Sequence, residues 1–94
     1  MKGKTLQQQI MEIKFQTASL LSYQVGRLTI AERNAINELY ELMDNVLLDN
    51  IQSSRYTMEE YVDAALIEHS IILSASKNSA VKKLGKLVGK GIKW

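Results

Sequence analysis

One signal for the start of an α-helix occurs three times in this sequence. Thr5, Thr29 and Thr57 are each followed three residues later by Gln or Glu, which is the capping-box pattern. The threonine hydroxyl can accept a hydrogen bond from a free backbone N–H group, and the Gln or Glu side chain can reach back to the threonine N–H. Proline, which interrupts helices, is absent from all 94 residues. The sequence therefore predicts an all-α protein.

The spacing of apolar residues predicts the extent of the helices. Apolar side chains recur at helical spacing over three ranges, 6–25, 30–51 and 58–73. We expect Gly26 to end the first helix in the left-handed conformation, which glycine adopts without strain. The short link of residues 27–29 predicts an antiparallel hairpin between the first two helices. Two further loops are expected, at residues 52–56 and 74–78.

The apolar arcs on the first two helices are wider than a single helix–helix contact requires. On the first helix the arc spans about 220°, whereas a stripe that faces one neighbour needs about 100°. Each helix should therefore pack against two neighbours, or against one neighbour and a second subunit. A chain of this length also buries a thin core, so a second subunit would help. We predict one domain, residues 1–94, folded as an antiparallel bundle of three long helices and a short basic fourth, and forming a homodimer.

Residues 78–94 form a basic amphipathic segment. In a helix, its apolar residues gather on one side, and the opposite side carries Lys82, Lys83, Lys86, Lys90 and Lys93. Three glycines, at 85, 89 and 91, each cost about 1 kcal/mol of helix stability relative to alanine. We therefore expect the segment to be frayed until its apolar side finds a surface. The five lysines and Trp94 are the candidate partner-binding residues.

Three interpretations of this segment stay open. Its apolar side can cover the protein's own core and leave the lysines in solvent. It can instead dock on a partner or on an anionic membrane surface, as cationic amphipathic peptides do. It can also attract nucleic acid, although five lysines without an arginine lack the bidentate contact that reads guanine. A single aromatic residue, Trp94, offers no stacking platform for single strands.

The net charge of +2 hides a strong segregation. Residues 1–28 carry +3, residues 29–70 carry −7, and residues 71–94 carry +6. Such asymmetry concerns partners rather than the fold, and the acidic middle disfavours nucleic acid. The sequence begins without an apolar signal segment, contains no cysteine, and has no apolar run of about 18 residues. We expect a cytoplasmic protein.

Candidate catalytic groups are few. His69 is the single histidine and falls within the apolar stripe of the third helix, where we expect a hydrogen-bonded core or interface residue. Glu59 and Asp63 share a helical face and are interpreted as solvated acids. No His, Cys and carboxylate set has metal-ligand spacing, and no glycine-rich phosphate loop occurs. We therefore predict no enzymatic activity, metal or cofactor.

These observations predict a small regulatory, adaptor or inhibitor protein that binds a macromolecular partner. Another protein is the preferred partner. A peripheral membrane or immunity-type protein that uses the cationic segment is the first alternative. A nucleic-acid-associated dimer is the second alternative.

Overall fold

A computed structural model describes residues 3–48 and 57–94. Four α-helices lie in these two ranges: α1 Leu6–Tyr23, α2 Ile30–Leu47, α3 Met58–Ser74 and α4 Ser79–Gly89. No strand occurs in the same ranges, so the all-α prediction is confirmed. The predicted end of the second helix and the predicted loop 52–56 lie outside the described residues.

All three threonines predicted to start helices occupy N-cap positions. At Thr5 and Thr29 both halves of the capping box form, with hydrogen bonds of 2.9–3.1 Å to the residue three positions on. At Thr57 only one half forms. The Glu60 N–H donates to the Thr57 hydroxyl at 3.2 Å, and that hydroxyl donates to the Glu60 carboxylate at 3.0 Å. The predicted helix starts are therefore confirmed at all three positions.

The predicted end of the first helix is wrong. Helix α1 ends at Tyr23, and Gly26 lies in a 3-10 turn, Val25–Arg27, without a positive φ. The Arg27 N–H donates to the Gln24 carbonyl at 2.9 Å, so the chain turns by tightening its hydrogen bonds. A left-handed residue is not needed when the last carbonyls are satisfied in this way. Among the described glycines, positive φ occurs at Gly91, where φ is 72°.

The helices pack in adjacent pairs around one apolar core. Helix α1 contacts α2 and α4, and α3 contacts α2 and α4. An ion pair crosses the α1–α2 contact, where Lys14 Nζ lies 2.8 Å from Asp44 Oδ1 and 5.4 Å from the centre of the Tyr40 ring. The hydrogen bond to Asp44 raises the pKa of Lys14. The centre of the core has no exposed surface and consists of Ile36, Leu39, Met43, Val62, Leu66, Leu73, Val81, Leu84 and Val88.

The wide apolar arcs of α1 and α2 are covered within the chain. Helix α1 buries Ile10, Ile13 and Leu20, and its contacts with both α2 and α4 account for the width of its arc. Phe15, at the edge of that arc, stays 67% exposed. The arcs of the first two helices therefore no longer require a second subunit. Exposed apolar side chains remain on three helices and at the end of α2, and they include Phe15, Ile30, Leu48, Ile67 and Ile71.

The basic segment is helical over Ser79–Gly89 and docked, which supports the first of its three interpretations, and its apolar side has found a surface within the chain. The apolar side chains of Val81, Leu84 and Val88 have no exposed surface, and this side of α4 covers the protein's own core. The packing at Gly85 explains why α4 contains a glycine there despite the cost to helix stability. A Cβ atom at this position would lie 2.5 Å from the Ser74 backbone nitrogen, so glycine permits an approach to α3 that no other residue allows.

The residues after α4 are tied to the other helices. The side-chain amide of Gln9 in α1 bonds both main-chain groups of Lys93, at 2.8 Å from its N–H and 3.1 Å to its carbonyl. The Trp94 indole N–H donates to Asp63 of α3 at 3.1 Å, and Ile92 is buried. The basic segment is therefore held along its length. No helix in the described ranges is long and apolar enough to cross a bilayer.

Candidate functional site

The structure places the five predicted lysines together on the exposed side of α4 and of the segment that follows it. Each of these residues is exposed: Lys82, Lys83, Lys86, Lys90 and Lys93. No ion pair joins them to an acid within residues 3–48 and 57–94. Because Val81, Leu84 and Val88 on the opposite side of α4 are buried, the backbone that carries these lysines is held in place. We call this set the lysine surface.

The lysine surface has two rows. Gly85 and Gly89 face α3, and a Cβ atom at Gly89 would lie 3.5 Å from the Ser70 Cβ. At about 100° per residue, Lys82 and Lys86 are the next positions around α4 from Gly89 in the direction of solvent. These two lysines therefore form the row on the α3 side. Three lysines form the row on the α1 side, where Lys83, Lys90 and Lys93 line grooves between α1 and the basic segment.

The α1-side row borders a groove of about 280 Å³. Lys4, Lys90 and Lys93 line it together with Gln9 and Glu12. Lys4 forms an ion pair with Glu12, which leaves the groove with an excess of positive charge. Ammonium groups around a concave surface attract carboxylate or phosphate groups of a partner.

Trp94 lies at the α3 side of the lysine surface. It is 38% exposed, and its hydrogen bond to Asp63 holds the orientation of the ring. The sequence interpretation of Asp63 as a solvated acid missed this contact, since 31 positions separate the two residues. Trp94 therefore presents part of an oriented indole beside the lysines.

An acidic groove of about 480 Å³ lies between α2 and α3, and sequence reasoning did not predict it. Its polar lining comprises Glu38, Glu41, Asn45, Tyr61, Glu68 and His69. The acids come from two helices that are distant in sequence, so only the charge of −7 over residues 29–70 hinted at it. No three His, Cys, Asp or Glu side chains in the described part of the chain could hold a metal ion.

His69 closes the base of the acidic groove. It is 9% exposed, and its Nε2 lies 3.3 Å from the Glu38 Oε2, whereas its buried Nδ1 has no partner among the described residues. The prediction that His69 is a hydrogen-bonded core or interface residue is confirmed as to burial, whereas no hydrogen bond of its ring is found among the described residues. Its carboxylate partner is 65% exposed and makes a weak contact at most.

The outer side of α3 is apolar, which the sequence analysis also missed. Ile67 is 57% exposed and Ile71 is 68% exposed, and Ala64 and Ala75 are exposed beside them. Two isoleucines four positions apart share a helical face. The spacing of Ile67 and Ile71 is visible in the sequence. One apolar stripe of α3 had already been assigned to the core, and a second apolar side of the same helix was not expected.

Comparison of the chain with protein-family models, with curated proteins and with solved structures found no match. The lysine surface, the acidic groove and the outer side of α3 are therefore interpreted from their own chemistry. The first is basic, the second is acidic, and the third is apolar and lies between them.

Proposed function

We propose that this protein is a small non-enzymatic regulator, adaptor or inhibitor that binds an acidic macromolecular partner through the lysine surface. One observation carries the proposal: Val81, Leu84 and Val88 on the apolar side of α4 have no exposed surface, while the lysines of this helix remain exposed. A docked helix needs little further ordering when a partner binds, which lowers the entropic cost of association. Exposed lysines also accelerate the encounter with an acidic partner.

A protein partner fits the lysine surface better than a membrane does. A helix that lies in a bilayer inserts its apolar side. Here those side chains, Val81, Leu84 and Val88, have no exposed surface. A peripheral membrane or immunity-type protein would therefore have to bind lipid by charge alone. A nucleic-acid-associated dimer would rely on the same lysines without arginine forks or stacked aromatics. The proposed protein acts in the cytoplasm.

The proposal includes an antiparallel helical bundle that acts as a homodimer. The short links, residues 24–29 and 75–78, and the cyclic order of helix contacts support the bundle. The exposed isoleucines of α3 support the dimer, because they lie four positions apart on one helical face and exposed apolar patches often mark protein–protein contacts.

The test replaces the α1-side row, Lys83, Lys90 and Lys93, by glutamine. The variant and the wild type are used as bait in source-cell extract, with mass spectrometry of bound proteins, and are also mixed with anionic vesicles and with duplex DNA. We expect capture of an acidic protein to fall at least about tenfold, and to weaken as salt screens the charges. We expect the melting temperature to stay within about 2 °C, because these lysines make no described ion pair.

A control variant removes three exposed basic residues elsewhere by replacing Arg27, Arg33 and Lys77 with glutamine, and it should bind like the wild type. Equal losses of capture in both variants would mean that binding depends on net charge alone and not on the position of the lysines. Retained capture with a collapsed melting temperature would contradict the proposal, since the lysines would then serve the fold. Loss of vesicle or DNA binding alone would favour the corresponding alternative.

A further inference from the structure

Helix α3 carries apolar residues on two opposite sides. Its inner side contributes Val62, Leu66 and Leu73 to the core, and its outer side exposes Ile67 and Ile71. A surface helix normally directs polar and charged side chains to solvent on the side opposite the core. We call the outer surface formed by Ala64, Ile67, Ile71 and Ala75 the α3 face.

The α3 face lies between two edges of opposite charge. Its acidic edge is Glu68, about 60° around the helix from Ile71, and Glu68 and Ala64 both line the acidic groove. Its basic edge is the α3-side row of the lysine surface. Ser74 lies against Gly85 of α4. Going around α3 from Ser74 toward solvent, the next apolar positions are Ile67 and then Ile71. Going around α4 from Gly89 toward solvent, the next positions are Lys82 and Lys86, so the isoleucines lie beside the α3-side row. At the level of Ile67 and Ile71 the surface therefore runs from lysines through isoleucines to Glu68, whereas Glu60, which is also exposed, lies on the same helical face about two turns nearer the start of α3.

We propose that the α3 face binds a second copy of this chain, with the two α3 helices parallel about a twofold axis that runs along them. This inference rests on the homodimer of the proposed function and names its interface. In this arrangement Ile67 and Ile71 meet their counterparts at the centre. The basic edge of each copy then faces the acidic edge of the other, on both sides of the contact.

The order of charges selects the parallel arrangement. In an antiparallel contact the twofold axis is perpendicular to the helices, and each edge meets its own copy. Glu68 would then face Glu68, and the lysine rows would face each other, which opposes association. In the parallel arrangement every edge meets its complement. The surface is therefore self-complementary, whereas a different protein would have to present the same three stripes in mirrored order.

The first experiment measures the mass of the full chain by light scattering at protein concentrations from about 1 to about 100 µM. This range covers dissociation constants that are common for protein dimers. We expect twice the mass of one chain for the wild type. We expect Ile71→Lys to weaken the dimer at least about a hundredfold, because it places a charge at the desolvated centre of the contact. Ile67→Ser should act in the same direction, and circular dichroism verifies that both variants are folded.

Phe15→Lys is the matched control, because Phe15 is exposed to the same degree as Ile71 but lies on α1. It should leave the dimer unchanged. A strict monomer of wild type at 100 µM would overturn both the proposed dimer and this interface. A wild-type dimer that resists Ile71→Lys and Ile67→Ser would overturn the interface and leave the proposed dimer standing.

The second experiment tests the parallel arrangement by exchanging charges. Glu68→Lys and Lys86→Glu should each weaken the dimer about tenfold, and the double variant should recover most of the wild-type affinity. An antiparallel contact predicts no such recovery, because each edge would still meet its own copy. Absence of recovery would overturn the arrangement. The partner-binding test uses the other lysine row, so its outcome is independent of this one.

Discussion

At the scale of single residues, Gly85 determines how closely α4 approaches α3. A Cβ atom at Gly85 would lie 2.5 Å from the Ser74 nitrogen and 2.8 Å from the Leu73 carbonyl carbon, which are backbone atoms that cannot turn aside. We therefore expect Gly85→Ala to lower the free energy of unfolding by about 2 kcal/mol, although alanine favours a helix. Urea denaturation followed by circular dichroism measures the change.

Gly89→Ala is the control for this prediction. A Cβ atom at Gly89 would lie 3.5 Å from the Ser70 Cβ, an ordinary van der Waals contact. The substitution should be neutral or should stabilise the protein by up to about 1 kcal/mol, through helix propensity. If Gly85→Ala stabilised the protein as much as Gly89→Ala did, the result would contradict the close contact between α3 and α4 at Gly85.

At the scale of elements, the segment after α4 belongs to the fold as well as to the candidate site. Ile92 is 7% exposed, and it lies beside Lys93, whose main chain is bonded to Gln9. We expect Ile92→Ala to lower the free energy of unfolding by about 2–3 kcal/mol, because it removes a buried side chain and leaves a cavity. Thermal and urea denaturation measure the loss.

Lys93→Ala serves as the comparison for Ile92→Ala, since it changes an exposed side chain and keeps the backbone bonds to Gln9. Its effect on stability should be within about 0.5 kcal/mol. Similar small effects of both substitutions would mean that the end of the chain is not docked. The lysines would then be presented by a loose tail rather than by a fixed surface.

At the scale of the whole molecule, Glu32 brings the start of α2 close to the link between α3 and α4. This residue at the start of α2 is 8% exposed, and Ser76 in the link between α3 and α4 is 6% exposed. A hydrogen bond from Ser76, followed by the backbone N–H of Thr29, lowers the pKa of Glu32 below its ordinary value of 4.5. The folded state therefore favours the carboxylate.

This lowered pKa predicts how stability depends on pH. The folded state releases the Glu32 proton more readily than the unfolded state does, so the carboxylate contributes stability above pH 4.5. That contribution is lost as the pH falls through the lower pKa of the folded state. We expect Glu32→Gln to be less stable than the wild type at about pH 7. At about pH 3 the stabilities of the two proteins should become similar.

Denaturation of both proteins across this pH range measures the difference. Glutamine can still cap α2, since Gln8 makes the same contact at the start of α1. The comparison therefore isolates the charge. Glu41→Gln, at an exposed position, is the control substitution and should change the stability at about pH 7 by no more than about 0.5 kcal/mol. A constant difference between wild type and Glu32→Gln at all pH values would contradict the prediction.

The sequence by itself determined the features that depend on neighbours within a few residues. The starts of α1, α2 and α3 at Thr5, Thr29 and Thr57 were predictable, because a cap forms between residues three positions apart. The buried side of α4 was also predictable, because helical periodicity places its apolar residues together. The end of α1 was not, since a 3-10 turn competed successfully with the left-handed glycine.

Only the tertiary structure decided which surfaces face each other and which remain exposed. Docking of α4 depends on the fit between Gly85 and Ser74, and the acidic groove depends on the contact between α2 and α3. The outer side of α3 stays exposed because α2 and α4 cover its inner side, so the spacing of Ile67 and Ile71 could not show which face would be free. These properties arise from contacts between residues far apart in the chain, and local spacing carries no information about them.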